Sequence, residues 1–329
     1  MPLVGVKFPT LGDVAKRTDP NGKIDVIVEM LTQTNEILED MPFIEGNLPT
    51  GHKTIVRTGL PTASWRKLNY GVPQSKSMTQ PVIDTCGMLE AYAEIDKDLA
   101  DLNGNTAAFR LSEDRAFLEA MNQQMAETLF YGDTAKHPER FLGLSPRYST
   151  LNKNRAKTAE NIIDAGGTAA NALTSAFLVC WGEQTAHGIY PKGSKAGFQH
   201  TDKGQVTLED AEGGKYEGYR THYKWDIGLT VRDWRYIVRL ANIDLKTVTD
   251  EDLIEYMVAA VETLPDQKMG RPVFYMNRQL RTRLRNAFRR GTNVNLSLGE
   301  VGGKHVISFD EIPVKRCDSL VNTEARVIA

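Results

Sequence analysis

Four stretches of the chain place apolar residues at helical spacing. From Lys23 to Leu38 they fall at Ile24, Ile27, Val28, Leu31 and Leu38, with Asp25, Glu29 and Glu36 off the stripe, just after an Asp19-Pro20-Asn21-Gly22 turn. Ser112-Glu113-Asp114 predicts the start of a longer helix, a serine N-cap followed by two acids that meet the exposed amides. Phe117, Met121, Met125 and Leu129 form its stripe as far as Tyr131, where Gly132 supplies the stop. Thr249-Asp250-Glu251-Asp252 caps a third, whose stripe is Leu253, Ile254, Met257, Val258, Val261 and Leu264 before Pro265. A fourth is expected from about Asn277 to Phe288.

Period-two alternation is strict in one place. Tyr219, Tyr223, Trp225, Ile227, Leu229 and Val231 take odd positions, while Arg220, His222, Lys224, Asp226 and Arg232 take even ones, which predicts a long half-buried strand. Shorter strands are expected at Pro272–Met276, Lys304–Ser308, Ile312–Lys315 and near the C-terminus. Between Asn161 and Gly218 glycine is frequent enough to predict short strands and wide loops. The stretch His52 to Val82 reads as a long hairpin with few core-forming residues: Ile55, Val56, Leu60, Trp65, Leu68, Val72, Met78 and Val82 are scattered along it. Such a hairpin finds its burial against something else, and a neighbouring subunit would supply the missing half of a core. Helices and strands in this order make an α+β chain.

Length and composition narrow the class. At roughly 150 residues per domain, 329 residues make about two domains or one elaborated one. With 41% hydrophobic and 25% charged residues, the chain is neither disordered nor fibrous. Forty Lys+Arg against 42 Asp+Glu leave a formal charge of -2, so no global basic field draws it to nucleic acid or anionic lipid. Its longest apolar runs, Ala176–Trp181 and Tyr256–Val261, are far shorter than the roughly 18 residues a membrane helix needs. The N-terminus, MPLVGVKFPTLGD, lacks the apolar core of a signal peptide, so synthesis in a reducing cytosol is expected. Cys86, Cys180 and Cys317 form no CxxC pair and read as core thiols.

Motifs that carry chemistry are scarce. A P-loop ending at Gly303-Lys304 would need glycine at 298 and Ser or Thr at 305, where the chain has Leu298 and His305. No GxGxxG or GxSxG occurs. His187 and His200, with Asp202 nearby, could meet in a loop, and Cys180 precedes a histidine by seven residues, but the apolar run around Cys180 argues for burial. No catalytic, cofactor or metal residue is therefore assigned, and no cofactor is expected. The sharp charge feature is RQLRTRLRNAFRR, in which Arg278, Arg281, Arg285 and Arg289 make one helical stripe beside Leu280, Leu284, Ala287 and Phe288. That stripe could track phosphates, face solvent, or pair with carboxylates at a subunit interface.

Several stretches, in one consistent order, resemble the major capsid proteins of tailed double-stranded-DNA bacteriophages. They are RTGLPTASWRKLNYGV in the hairpin, ETLFYGDTAKHPERFLGL after the long helix, GIYPKGSKAGF, and YEGYRTHYKWDIGLTVRDWRYIVRLANID. RPVFYMNRQLRTRLR and ISFDEIPVKRCDSLVNTEARVI continue the set to the end of the chain. The resemblance implies an N-terminal arm over 1–50 and an extended hairpin, the E-loop, over 51–95. It further implies a peripheral domain over 96–160 and 313–329 with a spine helix at 112–131, and an axial domain over 161–312. The function it implies is a virion structural protein that self-assembles, as pentamers and hexamers, into an icosahedral head shell around double-stranded DNA without reading its sequence. Scaffolding, portal and cement proteins are the implied partners, membranes are not, and synthesis is expected in the host bacterial cytoplasm.

Trp65, Leu68 and Tyr70 are the hairpin's candidate inter-subunit anchors, since aromatics concentrate binding energy at interfaces; packing within their own subunit is the other reading. Some relatives fasten the shell by a lysine–asparagine isopeptide bond. No flanking motif singles out Lys53, Lys67 or Lys76, so noncovalent fastening is expected. The chain opens directly on the arm, from which a fused scaffolding domain is expected to be absent or already removed. Three alternatives remain at this point: an encapsulin-like bacterial compartment shell, a DNA-binding module using the arginine helix 278–290, and a metal- or thiol-dependent enzyme.

Overall fold

The computed structural model describes residues 33, 35–102, 106–210, 212–289, 296–301 and 304–329. A short helical turn, α1 (Ile37–Asp40), leads to β1 (Phe43–Glu45) and then to the hairpin strands β2 (Gly51–Gly59) and β3 (Met78–Asp96). Next come α2 (Lys97–Asp101), the long α3 (Thr106–Tyr131) and α4 (Leu144–Arg147). Strands β4 (Ile162–Asp164), β5 (Thr174–Trp181), β6 (Ala186–Tyr190), β7 (Gln199–Glu209), β8 (Lys215–Val231) and β9 (Ile237–Ile243) follow. The chain closes with α5 (Asp250–Thr263), β10 (Arg271–Met276), α6 (Arg278–Arg289), β11 (Leu296–Val301), β12 (Lys304–Phe309) and β13 (Ile312–Arg316). Its described residues form two compact units, a larger one within 35–87, 127–196 and 227–329, and a smaller one within 88–126 and 197–226.

The larger unit is built around β5, whose apolar run leaves no side for solvent: all eight of its residues are buried. It pairs antiparallel with β10 and with β9, and at Trp181 it meets β6 in parallel. From β10 the order continues outward through β13, β12 and β11, and from β6 through β8 and β3 to β2. Helices α5 and α6 lay their apolar stripes on this sheet, so that Leu178, Leu240, Leu253, Met257, Phe274, Leu280 and Leu284 form one buried cluster. Each fully buried large side chain there contributes about 1.5–3 kcal/mol. The start of α5 is the predicted one: Thr249 Oγ1 accepts from Asp252 N at 3.1 Å and Asp252 Oδ2 accepts from Thr249 N at 3.0 Å, a reciprocal capping box.

In the smaller unit β7 and β8 form an antiparallel ribbon. Tyr223 of β8 is buried with Met121 and Ala93, and Phe117 and Phe198 stack on its ring. Ion pairs line the edge, Arg220 Nε to Glu94 Oε1 at 2.6 Å and Arg110 Nη2 to Asp202 Oδ1 at 2.6 Å.

Several expectations need correction. Helix α3 is 26 residues long, about 39 Å at about 1.5 Å per residue, and begins at Thr106, which leaves Ser112 inside it and not at its cap. Half-burial holds only for the first part of β8: from Asp226 to Val231 every residue is buried, polar ones included, because that end lies between β6 and β3 inside the sheet. The glycine-rich middle contains an 11-residue strand, β7. No strand forms after Arg316 among the described residues. The last segment is held by an isolated bridge, Leu173 to Glu324, and by Asn242, which accepts from Val327 N at 2.8 Å and donates to Val327 O at 2.9 Å. Side-chain bonds there replace a ladder, which no period-two pattern encodes. Of the predicted helix 23–38, residues 23–32 and 34 lie outside the described residues.

Candidate assembly interface

The hairpin is where the chain declines to bury what its sequence provides. Strand β2 pairs with the first part of β3 from Gly51 opposite Thr85 to Gly59 opposite Met78, and the sequence between them, 60–77, forms no strand. Pro61 and Pro73 cannot donate to a ladder, which removes two of its bonds. At the tip Tyr70 N donates to Lys67 O at 3.2 Å around Asn69, whose φ of 66° asparagine accepts more readily than most residues. Ser75 Oγ donates to Thr62 O at 2.9 Å and joins the two sides.

Every residue from Leu60 to Pro81 is exposed. Trp65 is 103% exposed, Leu68 85% and Tyr70 71%, and Leu60, Val72 and Met78 are also exposed. The three predicted anchors thus sit on one loop, around one turn, with their apolar surface in solvent. Isolated exposed apolar residues are ordinary; five on a loop longer than compact domains usually tolerate, with Met78 at the start of β3 beside them, form an unusual apolar exposure.

At its root the hairpin is fastened by a polar cluster that sequence reasoning missed. His52 of β2 lies opposite Asp84 of β3, and both are buried. Arg147 Nη2 donates to Asp84 Oδ1 at 2.7 Å and to Leu229 O at 3.1 Å. Arg232 Nη2 lies 3.3 Å from His52 Nε2, and the His187 ring stands edge-on to His52 with centroids 6.0 Å apart. Burial, then Arg232, then His52 depress His187 to about 4, against the opposing pull of the Gly182 carbonyl and Asp84. Burial and Arg232 also hold His52 below the ordinary histidine range. Both rings are therefore neutral at pH 7. At Gly51 the strands approach so closely that a Cβ would stand 2.1 Å from Asp84 O. No local sequence signal marks this cluster: His52, for one, stands between Gly51 and Lys53.

The arginine helix α6 behaves differently. Leu280, Leu284 and Ala287 are buried in the core cluster, as the spacing predicts. Arg278 is 3.4 Å from Asp318, Arg281 is 3.9 Å from Glu36, and Arg285 is exposed, while the side chain of Arg289 lies outside the described residues. Arg283, off the stripe, donates to the carbonyls of Leu245 and Val248.

The remaining candidates stay apart. Cys180 and Cys317 are buried, their thiols pushed by burial to about 11 and about 12, and Cys86 is half-buried. His187 is buried on β6, and His200 on β7 packs on Tyr223. Among the described residues no group of three or more His, Cys, Asp or Glu is placed to hold a metal, and no helix is long and apolar enough to cross a membrane.

The sequence profile of the family Major capsid protein GP7 matches residues 19–328. The chain belongs to this family. A chain in the near-atomic cryo-EM structure of bacteriophage Epsilon15 is 35% identical to it, with a TM-score of 0.77 over 100% of both chains. The bacteriophage JBD30 capsid is 8% identical, covers 88% of this chain and 93% of its own, and has a TM-score of 0.49. The SrpI encapsulin complex of Synechococcus elongatus PCC 7942 is 11% identical over 72% of this chain and 97% of its own, with a TM-score of 0.44. Those last two likenesses are too low to carry argument. No curated protein matches.

The α+β fold of this GP7-family chain is that of tailed-phage capsid proteins, and its role is structural, in the phage head shell. Many copies of one chain close into that shell, and the virion capsid is its location. The encapsulin reading is the weaker one. An exposed apolar loop is intelligible in a chain that meets further copies of itself.

Proposed function

We propose that the hairpin of each subunit lies across a neighbouring subunit and that Trp65, Leu68 and Tyr70 are its anchors. The observation that supports this is the unbroken exposure from Leu60 to Pro81. Truncating Trp65 to Ala should lower particle yield several-fold, since interface aromatics are worth about 2 kcal/mol or more, while the subunit stays folded. Full yield from the Trp65→Ala chain, by sedimentation and negative-stain electron microscopy, would defeat the reading.

The parts around the hairpin follow the same plan: an arm over 1–50, the hairpin over 51–95, a peripheral domain over 96–160 and 313–329, and an axial domain over 161–312. Pentamers and hexamers of this tile enclose double-stranded DNA without sequence-specific contacts. Scaffolding, portal and cement proteins are its partners, and it is made in the host bacterial cytoplasm. Fastening is noncovalent. The arginine stripe serves packing between elements and subunits more than phosphate tracking, a reading supported by the pairing of Arg278 with Asp318. The chain works by assembly and not by catalysis, in keeping with buried thiols held far above neutral pH.

A further inference from the structure

Charge is distributed unevenly along a nearly neutral chain. Between Glu45 and Asp84 there is no acidic residue, while Lys53, Arg57, Arg66, Lys67 and Lys76 give the hairpin five positive charges. The smaller unit is the counterweight: residues 88–126 and 197–226 carry fourteen Asp and Glu against seven Lys and Arg. The rest of the chain is balanced.

Each side has a shape as well as a sign. A groove of about 830 Å³ runs along β2, lined by Lys53, Arg57, Lys157, Arg232 and Arg235. Its one acid, Asp233, is already held by Arg235 at 2.7 Å. Among the described residues the only strand laddered on β2 is β3; its outer edge is met by Leu48 at Gly51 and by the Asn47 side chain at Lys53, and beyond Lys53 it carries no further strand beside the groove. In the smaller unit the acids gather where β3 ends and β7 turns into β8. Asp98 and Asp101 lie on α2, and Glu209, Asp210, Glu212 and Glu217 lie on the ribbon. Glu94, Asp96 and Asp210 all bear on Tyr216, whose phenol is raised by burial first and by these carboxylates next.

We propose that the cationic groove and hairpin of one copy receive the acidic edge of the smaller unit of a second copy, so that opposite charge selects the register of neighbouring tiles. The proposal rests on the reading that the hairpin reaches another subunit, and it names the surface met there. Opposed patches of this kind steer encounter and suppress wrong pairings, whereas the exposed apolar residues hold the contact once made. Like charges set wrongly together would repel, which gives the shell an internal check on orientation.

The test uses the full chain and particle yield by sedimentation, with circular dichroism melting as the folding control. Lys53→Glu with Arg57→Glu should lower yield about tenfold, and so should Asp98→Lys with Glu212→Lys, all at exposed positions. The chain carrying all four reversals should recover, because each reversed groove meets a reversed edge. Raising salt from about 0.1 M to about 1 M shortens screening to about 3 Å and should slow wild-type assembly. A fourfold variant no better than its parents overturns the proposal, as does a wild-type rate indifferent to salt. Deleting residues 60–77 separates the two readings. If the deletion abolishes particles while the reversals do nothing, the charge pairing alone is wrong; if the deleted chain assembles normally, the hairpin reading falls and takes this one with it.

Discussion

Trp65 and Phe274 are both large aromatic residues, one on the loop of the hairpin and one on β10, and they meet opposite fates. Phe274 is 0% exposed, packed edge-on to Phe309 in the core under α5 and α6, whereas Trp65 is 103% exposed on a loop with no partner strand. The difference lies in what surrounds them in sequence. Around Phe274 the chain supplies β-branched and apolar neighbours on two flanking strands and two amphipathic helices that cover them. Around Trp65 it supplies prolines, small residues and positive charge, so the same ring has nothing of its own subunit to enter. One region closes its core within the subunit, and the other leaves its apolar side chains in solvent.

The comparison breaks first at the core. Phe274→Ala should destabilise the free subunit by about 3–5 kcal/mol, read as a lower denaturant midpoint with unchanged slope. A loss under 1 kcal/mol would mean that the larger unit does not close on itself as described. Nearly as large is the effect of unpairing the ion pair beneath β5. Arg239 Nη2 donates to Glu324 Oε2 at 2.8 Å and Nη1 to Tyr148 O at 2.7 Å, while Tyr131 and Ser175 donate to the same carboxylate. Glu324→Ala leaves that guanidinium buried without its counter-ion, and about 3 kcal/mol of stability should go. Because Glu324 pins the last segment, protease sensitivity beyond Arg316 should rise in step.

Much of the self-closing region was legible in sequence, and for a reason. The stripes of α5 and α6, the Thr249 box and the run of β5 are local patterns whose period matches the element they form. What was not legible depended on partners distant in the chain. His52, Asp84, Arg147, His187 and Arg232 come from five separate segments, and neither polar content nor spacing announces that they meet. The start of α3 was missed because Ser112 mimics a cap that the helix does not need there, and the C-terminal strand because alternation near Val314 does not tell where pairing stops. For the hairpin the position was reversed: scattered apolar residues and repeated prolines already said that it builds no core of its own, and its apolar side chains are exposed.

Acid titration reaches the junction between the two regions. His187 ionises at about 4 in the folded chain, against an ordinary histidine value near 6.5, so between those values the unfolded chain binds a proton that the folded one refuses. Stability contributed by the neutral ring is complete above about pH 6.5 and is lost as pH falls toward about 4, by up to about 3 kcal/mol, with His52 adding in the same direction. Denaturant midpoints measured from pH 7.5 to 4.5 should fall accordingly. In the His187→Leu chain that fall should be shallower, and an equal slope would show that other groups set it.

The smallest expected effect is the one that most sharpens the contrast. In the free subunit Trp65→Ala removes a ring that touches little but water, so its melting temperature should stay within about 1 °C of the parent, as for surface substitutions worth about 0.5 kcal/mol or less. A drop of several degrees would mean that the ring packs within its own subunit, the reading of Trp65 opposed to an interface anchor. Paired with a loss of particles, an unchanged melt would place the ring's whole contribution in the contact between subunits. That division is what separates the hairpin from the core, since no residue of β5 can be truncated without the subunit itself registering the loss.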